Sequence, residues 1–437
     1  MNYLSQIAFV LVLVVAGYFL AKRIKEIRGN ILLGKDVDRS DRKSERMKSM
    51  LLVAFGQKKM FKKLIPAFLH LLIYVGFLVI NIEVLEFIID GLVGTHRIFA
   101  GPLGDAYTVA LNIFEFLAVA VIFSCVVFLI RRNVLKVGRF SGIEMTSWPK
   151  LDANLILVIE IILMFAILTM NATDQILQTR PDANYTETGR MVFSATLIPL
   201  FEGMSTTGLI ITERVAWWFH IIGIFAFAIY ITYSKHLHIF MAFPNTYYAN
   251  LNPKGEMNNM DEVTTEVKAM LGVGGASSEP PAEISRFGAK DATDLNWVNL
   301  MNSYACTECG RCTQQCPANM TGKKLSPRKI MMDTRDRIDE IGKTGGDDGK
   351  SLLGDYITKE EINACTSCNA CVEACPVNID PLSIILQLRR YVVMEESSAP
   401  QSWNSMFSNI ETNFAPWKFP PTDRFKWAND LKTEEKD

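Results

Sequence analysis

Apolar residues gather into five long runs before about residue 240: Leu4–Leu20, Leu64–Ile89, Tyr107–Ile130, Leu155–Met170 and Val215–Tyr233. Each approaches the roughly 20 residues that an α-helix needs to cross a hydrocarbon core. Helices buried in a soluble protein would also be apolar, but five such runs in succession favour membrane spans. The fourth is the shortest and carries Glu160. Beyond Tyr233 the pattern changes. Thr321–Lys343 and the stretch from Pro381 to Val393 have apolar residues near helical spacing, the second opened by Asp380-Pro381. Phe287–Tyr304 reads as a helix, and Glu256–Met270 as a short polar one. The expected fold is mostly α: a five-helix transmembrane bundle over 1–245, a linker over 246–291, a helical domain over 292–400 and a tail over 401–437. The linker is rich in Asn, Gly, Ser and Pro, including Gly272-Val-Gly-Gly-Ala276 and Pro280-Pro281. The tail is rich in aromatic residues without periodicity, which suits either docking on a partner or disorder.

Charge orients the bundle. The segment Ala21–Lys63 holds fourteen Lys and Arg, and Arg131–Lys150 adds five, whereas Gly91–Ala106 has only Arg97. Under the positive-inside rule the first two loops are cytoplasmic. The N-terminus then lies outside, and five crossings deliver the remainder of the chain to the cytoplasm of a bacterial inner membrane. The first run has no basic segment before it, which argues against a cleaved signal peptide. Net charge is −1, so nucleic acid is not an expected partner.

Eight of nine cysteines form two copies of one spacing. Cys306, Cys309, Cys312 and Cys316 precede Pro317; Cys365, Cys368, Cys371 and Cys375 precede Pro376. A cubane iron–sulfur cluster takes three thiolates from one tight loop and, in two-cluster ferredoxins, the fourth from the other repeat. The spacing predicts one 4Fe–4S cluster on Cys306, Cys309, Cys312 and Cys375, and a second on Cys365, Cys368, Cys371 and Cys316. Zinc also uses Cys-x-x-Cys pairs but does not need a third cysteine at the same spacing, twice. A cytoplasmic location keeps these thiols reduced. Cys125, alone in an apolar run, reads as a small buried hydrophobe.

Histidines number five. An ionisable residue within a span is a functional candidate. His70 lies two turns into the second span on its inner side, His220 near the outer end of the fifth, and His236 and His238 at its inner end. If the fifth helix continues, the eighteen residues from His220 to His238 make about five turns, placing both on one face about 27 Å apart. His236 would then face away. Bis-histidine ligation of b-type haem from facing helices suits this arrangement. His70 and His238 are the expected inner pair, with His236 as the substitute for His238. His96 and His220 are the remaining pair for an outer haem, or else they bond a quinone or backbone carbonyls. Glu83, Glu86 and Glu115 are acids that could deliver protons to a quinone; the alternative is that they pair with Arg across helices.

The stretch from His220-Ile-Ile-Gly223 to Tyr233-Ser-Lys-His-Leu-His238, with His70, resembles the respiratory nitrate reductase gamma subunit family. That resemblance implies a five-span haem b domain exchanging electrons with quinol. It departs near Ile80, where the family's second-span ligand for the outer haem would fall, so it implies the inner haem and one or two haems in total. Residues 286–420 carry a second resemblance: Phe287-Gly288, Trp297, Tyr304-Ala-Cys-Thr-Glu-Cys-Gly-Arg-Cys312, Gly322-Lys-Lys-Leu-Ser-Pro-Arg-Lys329, Leu388-Arg-Arg-Tyr391 and Met394-Glu-Glu-Ser-Ser-Ala-Pro400. They are similar to the heterodisulfide-reductase-like membrane iron–sulfur oxidoreductases, most of all the group linking electron-transferring flavoprotein to menaquinone. Full-length members continue into a Cys-Cys-Gly domain, and no cysteine follows Cys375 here. The resemblance therefore implies a separate Cys-Cys-Gly subunit as partner, alongside electron-transferring flavoprotein or another cytoplasmic redox donor and the membrane quinone pool. The alternative is a quinol-oxidising subunit serving a heterodisulfide or sulfur-compound reductase. A scaffold with purely structural clusters is a third reading, which the histidines oppose.

Overall fold

The computed structural model describes residues 3–183, 185–273 and 286–434. Most of Gly272–Ala276 and all of Pro280-Pro281, read above as linker, lie outside the described residues. Two compact units emerge, one of Met1–Glu256 with Asp291–Ile384, the other of Met257–Lys290 with Ile385–Asp437. Among the described residues there are helices and no strands, only the isolated bridges Lys35 to Asn296 and Leu353 to Ile357.

Among the described residues five helices, all in the first unit, are long and apolar enough to cross a membrane: α1 Leu4–Ile31, α2 Leu64–Val93, α3 Asp105–Leu129, α4 Trp148–Gln178 and α5 Thr206–Ile231. The fourth, short as an apolar run, is 31 residues long, because polar Asp152, Asn171 and Asp174 extend it and are buried inside the bundle. Its neighbours are α3 and α5, while α2 packs on α3 and α1 on both α2 and α5. Phe9, Val84, Phe87, Ile167, Met170, Trp217 and Ile221 interlock as one core from four of the helices. Glycine permits close crossings here: a Cβ on Gly91 would lie 2.7 Å from the Phe9 ring, and one on Gly223 2.5 Å from Leu163. Exposed Leu, Ile, Val and Phe cover the outer faces, as a lipid-facing surface requires.

The fifth helix does not continue to His238. It ends at Ile231, a 3-10 turn covers Lys235–Leu237, and helix α6 begins at His238 and runs to Tyr247. Ser234 turns the chain there by accepting the His236 amide. The expectation of one helical face joining His220 to His238 therefore fails, because the chain reorients between them.

The remainder of this unit holds α7 Trp297–Tyr304 and α8 Pro327–Thr344, with the two cysteine loops around them. Phe287–Tyr304 is not one helix: a 3-10 turn at Ala292–Asp294 precedes α7, which starts at an Asn296 cap. Ser326 caps α8, so that helix starts later than its spacing suggested. Arg337, fully buried on α8, ties the domain together through Asp291 and Asp348.

Helix α1 outlasts its apolar run and reaches this domain. Asn30 Nδ2 donates to the Tyr304 hydroxyl at 2.9 Å, and the Lys35 amide to the Leu295 carbonyl at 2.8 Å. The loops after α1, α3 and α5 all contact the cysteine-bearing domain, through Lys59, Glu144 and Lys235. Both strongly basic loops thus share one end of the bundle with that domain.

In the second unit, Asp261–Met270 is helical, and the Ala289 amide donates to the Gln387 carbonyl on the Pro381–Met394 helix. The aromatic tail forms helices Gln401–Asn413 and Lys426–Glu434, with Trp417, Phe419, Phe425 and Trp427 exposed.

Candidate electron-transfer site

The two cysteine loops share their local geometry. Glu308 and Gly310 in the first have positive φ, as do Ser367 and Asn369 at the equivalent places in the second. Left-handed residues at these two points curl each loop tightly around one volume. Gly310 is needed for more than its φ of 70°: a Cβ there would lie 2.5 Å from Arg328 Nη1 and 3.0 Å from the Arg139 carbonyl. Backbone amides point at sulfur as well. Ser367 N–H donates to Cys365 Sγ at 3.4 Å and Ile379 N–H to Cys375 Sγ at 3.3 Å.

The structure brings Cys306, Cys309, Cys312 and Cys375 to the wall of one cavity, with Met331, Ile379 and Pro381 supplying apolar surface. That is the set expected for the first cluster, its fourth member crossing from the other repeat. Cys371 feels the charge of both Cys365 and Cys316, a residue of each loop. Burial pushes the Cys306 thiol up to about 12, and burial followed by Cys306, Cys309 and Cys375 pushes Cys312 up as well. Thiols that resist ionising beside one another become stable thiolates once cationic iron joins them, so the donor chemistry fits the group.

At the neighbouring end of the bundle, His70 and His238 lie with ring centres 6.2 Å apart. Each has its Nδ1 engaged: His70 with Gln57 Oε1 at 3.2 Å, His238 with the Lys235 carbonyl at 3.2 Å. A ligating histidine commonly has its other nitrogen bonded to an amide or carbonyl oxygen in this way. These two residues could hold haem iron. His236 stands 5.3 Å from His238 but faces Glu160, its Nε2 3.4 Å from Oε1, and Cys125 donates to that carboxylate at 3.0 Å.

His96 and His220 occupy separate settings. His220 is fully buried; its Nδ1 bonds the Leu163 carbonyl at 2.9 Å, and its Nε2 is without a partner. His96 packs on Tyr185 and approaches Asp174 at 3.6 Å. No direct contact between His96 and His220 is seen among the described residues. Glu83, Glu86 and Glu115 belong to one buried network around Arg97, which bonds Asn171 at 2.7 Å, Asp174 at 2.9 Å, Glu83 at 3.4 Å and Tyr107 at 3.5 Å. Tyr107 donates to Glu86 and Asn171 to Glu115. Glu115 also receives the Phe193 and Ser194 amides.

Sequence reasoning missed the residues joining the two halves. Glu308, between Cys306 and Cys309, is buried and ion-paired with Lys235 and Arg335. Lys235 is the residue whose carbonyl receives His238. On the other side Lys59 donates to the Cys375 carbonyl at 3.2 Å, two residues from Gln57. A carboxylate inside a cluster loop was the one available signal, and it named no partner.

A helical membrane bundle carrying paired cysteine loops defines a membrane iron–sulfur electron-transfer protein. Residues 305–379 match the family of the 4Fe-4S dicluster domain. The chain is similar to the probable iron-sulfur-binding oxidoreductase FadF of Bacillus subtilis, 27% identical over 99% of this chain and 62% of that protein. It is also similar to the EtfAB:quinone oxidoreductase of Syntrophomonas wolfei, 25% identical over 98% of this chain and 60% of that one. The dihydromethanophenazine:CoB–CoM heterodisulfide reductase of Methanosarcina barkeri has a polypeptide that is 28% identical over 33% of this chain and 38% of its own length. The chain thus spans about three fifths of the length of the first two relatives. No solved structure matches it. The resemblance to heterodisulfide-reductase-like membrane iron–sulfur oxidoreductases is borne out, as is the mostly α fold with a bundle followed by a dicluster domain.

Proposed function

We propose that this chain passes electrons through two 4Fe–4S clusters and haem b between a cytoplasmic redox partner and menaquinone. It lies in a bacterial inner membrane with its N-terminus outside and the dicluster domain in the cytoplasm. The partner is a Cys-Cys-Gly module working with electron-transferring flavoprotein, in keeping with the name of the Syntrophomonas relative. The observation that carries the reading is the His70–His238 pair at 6.2 Å, anchored by Gln57 and Lys235, whose chain neighbours reach the cavity of Cys306, Cys309, Cys312 and Cys375.

Haem and clusters supply one-electron chemistry; the chain supplies ligands, hydrogen bonds and a dry interior. Gln57 and the Lys235 carbonyl hold the two imidazoles with Nε2 directed away from Nδ1 and free to ligate. Lys235 spans from that carbonyl to Glu308, so one residue touches both the histidine and the cysteine loop. His220 is held in the same manner by Leu163, and with His96 it is the candidate for an outer haem. Glu83, with one oxygen unpartnered and buried, is the foremost of the three acids for proton delivery to a quinone.

The similarity to the heterodisulfide reductase of Methanosarcina favours a second reading, quinol oxidation serving a disulfide or sulfur-compound reductase. Co-purification separates the two: a flavoprotein supports the first, a sulfur-metabolising enzyme the second. The direct test is a reduced-minus-oxidised visible spectrum of detergent-purified protein with a haem count, using a menaquinol analogue as reductant. Sharp b-type bands that His70→Ala and His238→Ala diminish are expected. Absence of haem refutes the histidine assignment and leaves an anchored dicluster protein.

A further inference from the structure

The two cysteine sets differ in the charge around them. Beside Cys306, Cys309, Cys312 and Cys375 lie seven cations. Arg311 and Arg328 line the same cavity as the thiols. Lys59 donates to the Cys375 and Val372 carbonyls, Lys63 to Gln314 at 2.5 Å, and the Arg139 backbone stands against Gly310. Lys235 and Arg335 meet at Glu308.

Some of this charge is cancelled. Arg328 pairs with Glu144, while Lys235 and Arg335 are balanced by Glu308 and Asp152. Four cations remain. Lys59 and Lys63 donate to neutral oxygens, as does Arg311, and Arg139 lies over the Phe140 ring. At the second set Asp380 bears on Cys371 but is itself offset by Arg39, Glu373 pairs with Lys62 and Lys254, Lys59 reaches the Val372 carbonyl as well, and Cys368 is exposed to solvent.

We infer that the chain sets its two clusters at different potentials: the collar of Lys59, Lys63, Arg139 and Arg311 makes the cluster on Cys306, Cys309, Cys312 and Cys375 the stronger electron acceptor, and electrons arrive at the set around exposed Cys368. The inference rests on the ligand sets of the proposed function. Reduction adds one negative charge to a cluster, so nearby cations favour the reduced form and raise the potential, while burial opposes it. Four cations act together against that one opposing effect. The collared set is also the one tied to His238 through Lys235 and Glu308, and to His70 through the Gln57–Lys59 segment.

Each step then moves one electron. The cluster on Cys365, Cys368, Cys371 and Cys316 is oxidised by one and the collared cluster reduced by one, with no bond or proton changing hands. A two-electron donor of the reduced-flavin class supplies two such steps, and a quinone in the membrane accepts both electrons with two protons from water. The direction favoured is toward the membrane, which selects quinone reduction over quinol oxidation.

The test is a redox titration of the detergent-purified full chain, read by low-temperature electron paramagnetic resonance. Two one-electron waves are expected. Arg139→Gln and Lys63→Gln should each lower only the higher wave, shifting the equilibrium between the clusters about tenfold per charge, about 59 mV for one electron. Cys368→Ser should alter only the lower wave. The inference is overturned if the charge variants move the lower wave or neither, or if Cys368→Ser alters the higher one. Fewer than two clusters per chain would instead overturn the dicluster assignment itself, and this inference with it.

Discussion

Replacing Glu308 by Gln should destabilise the junction between bundle and cysteine domain. The carboxylate receives Lys235 and, at 2.8 Å, Arg335, with only 8% of the Lys235 side chain and 3% of the Glu308 side chain exposed. Burial alone would push the Glu308 pKa up, but Arg335 and Lys235 outweigh it and hold it below the usual carboxylate range, so Glu308 is charged at neutral pH. One pair of unit charges at 2.8 Å in an effective dielectric of about 20 is worth about 6 kcal/mol before desolvation is subtracted. Removing one partner of a buried pair costs about 3–5 kcal/mol. Gln retains one acceptor oxygen, so the lower end, about 3 kcal/mol, applies here. The assay is denaturant unfolding of the detergent-solubilised chain, followed by cluster absorbance. Adding Lys235→Met removes the ammonium that Glu308 had paired and should recover part of the loss, limited because buried Asp152, 3.9 Å from Lys235 Nζ, then loses its cation. A loss below about 1 kcal/mol in the single variant, or no recovery in the double, would refute the argument that this pair fastens the junction.

Two more outcomes follow from buried charge. Arg97→Met should strand Glu83 and Asp174 at the end of the bundle away from the cysteine loops, costing about 3–5 kcal/mol; the same unfolding assay checks it, and the deficit should shrink in acid as the two carboxyls take up protons. Asp333, on α8, is pushed up to about 6 by burial, which its partner Lys329 only partly opposes. Its folded pKa lies above the unfolded value of about 3.9, so its contribution is most favourable below about pH 4 and is lost as pH rises through about 6. Asp333→Asn should therefore gain on the native protein by at most about 3 kcal/mol between those limits, and a stability difference that does not change with pH would refute it.

The spans were legible because lipid imposes a length and an apolar composition that a one-dimensional pattern records. Even so, α4 is longer than its apolar run, since Asn171 and Asp174 are satisfied by Arg97 and need not leave the bundle. The break between Ile231 and His238 was invisible to spacing arguments. Tyr230 and the Lys235 amide bond Asp152 on α4 and Ser234 accepts the His236 amide, which together turn the chain there, and helical periodicity carries no record of them.

The cysteine spacing by itself determined the kind of cofactor, because three thiolates at i, i+3 and i+6 form a local loop that needs no distant residue to define it. The apolar runs likewise determined the five described helices able to enter a membrane. Which histidines approach one another, and which cysteine set lies beside them, was decided only in three dimensions. The pairing of His70 with His238 depends on a reoriented α6, and the link to the first cluster loop depends on Lys235 meeting Glu308, 73 residues away in sequence. A local motif can be read because its geometry is closed within a few residues. A buried charge finds its partner through packing, and sequence separation holds no trace of that choice.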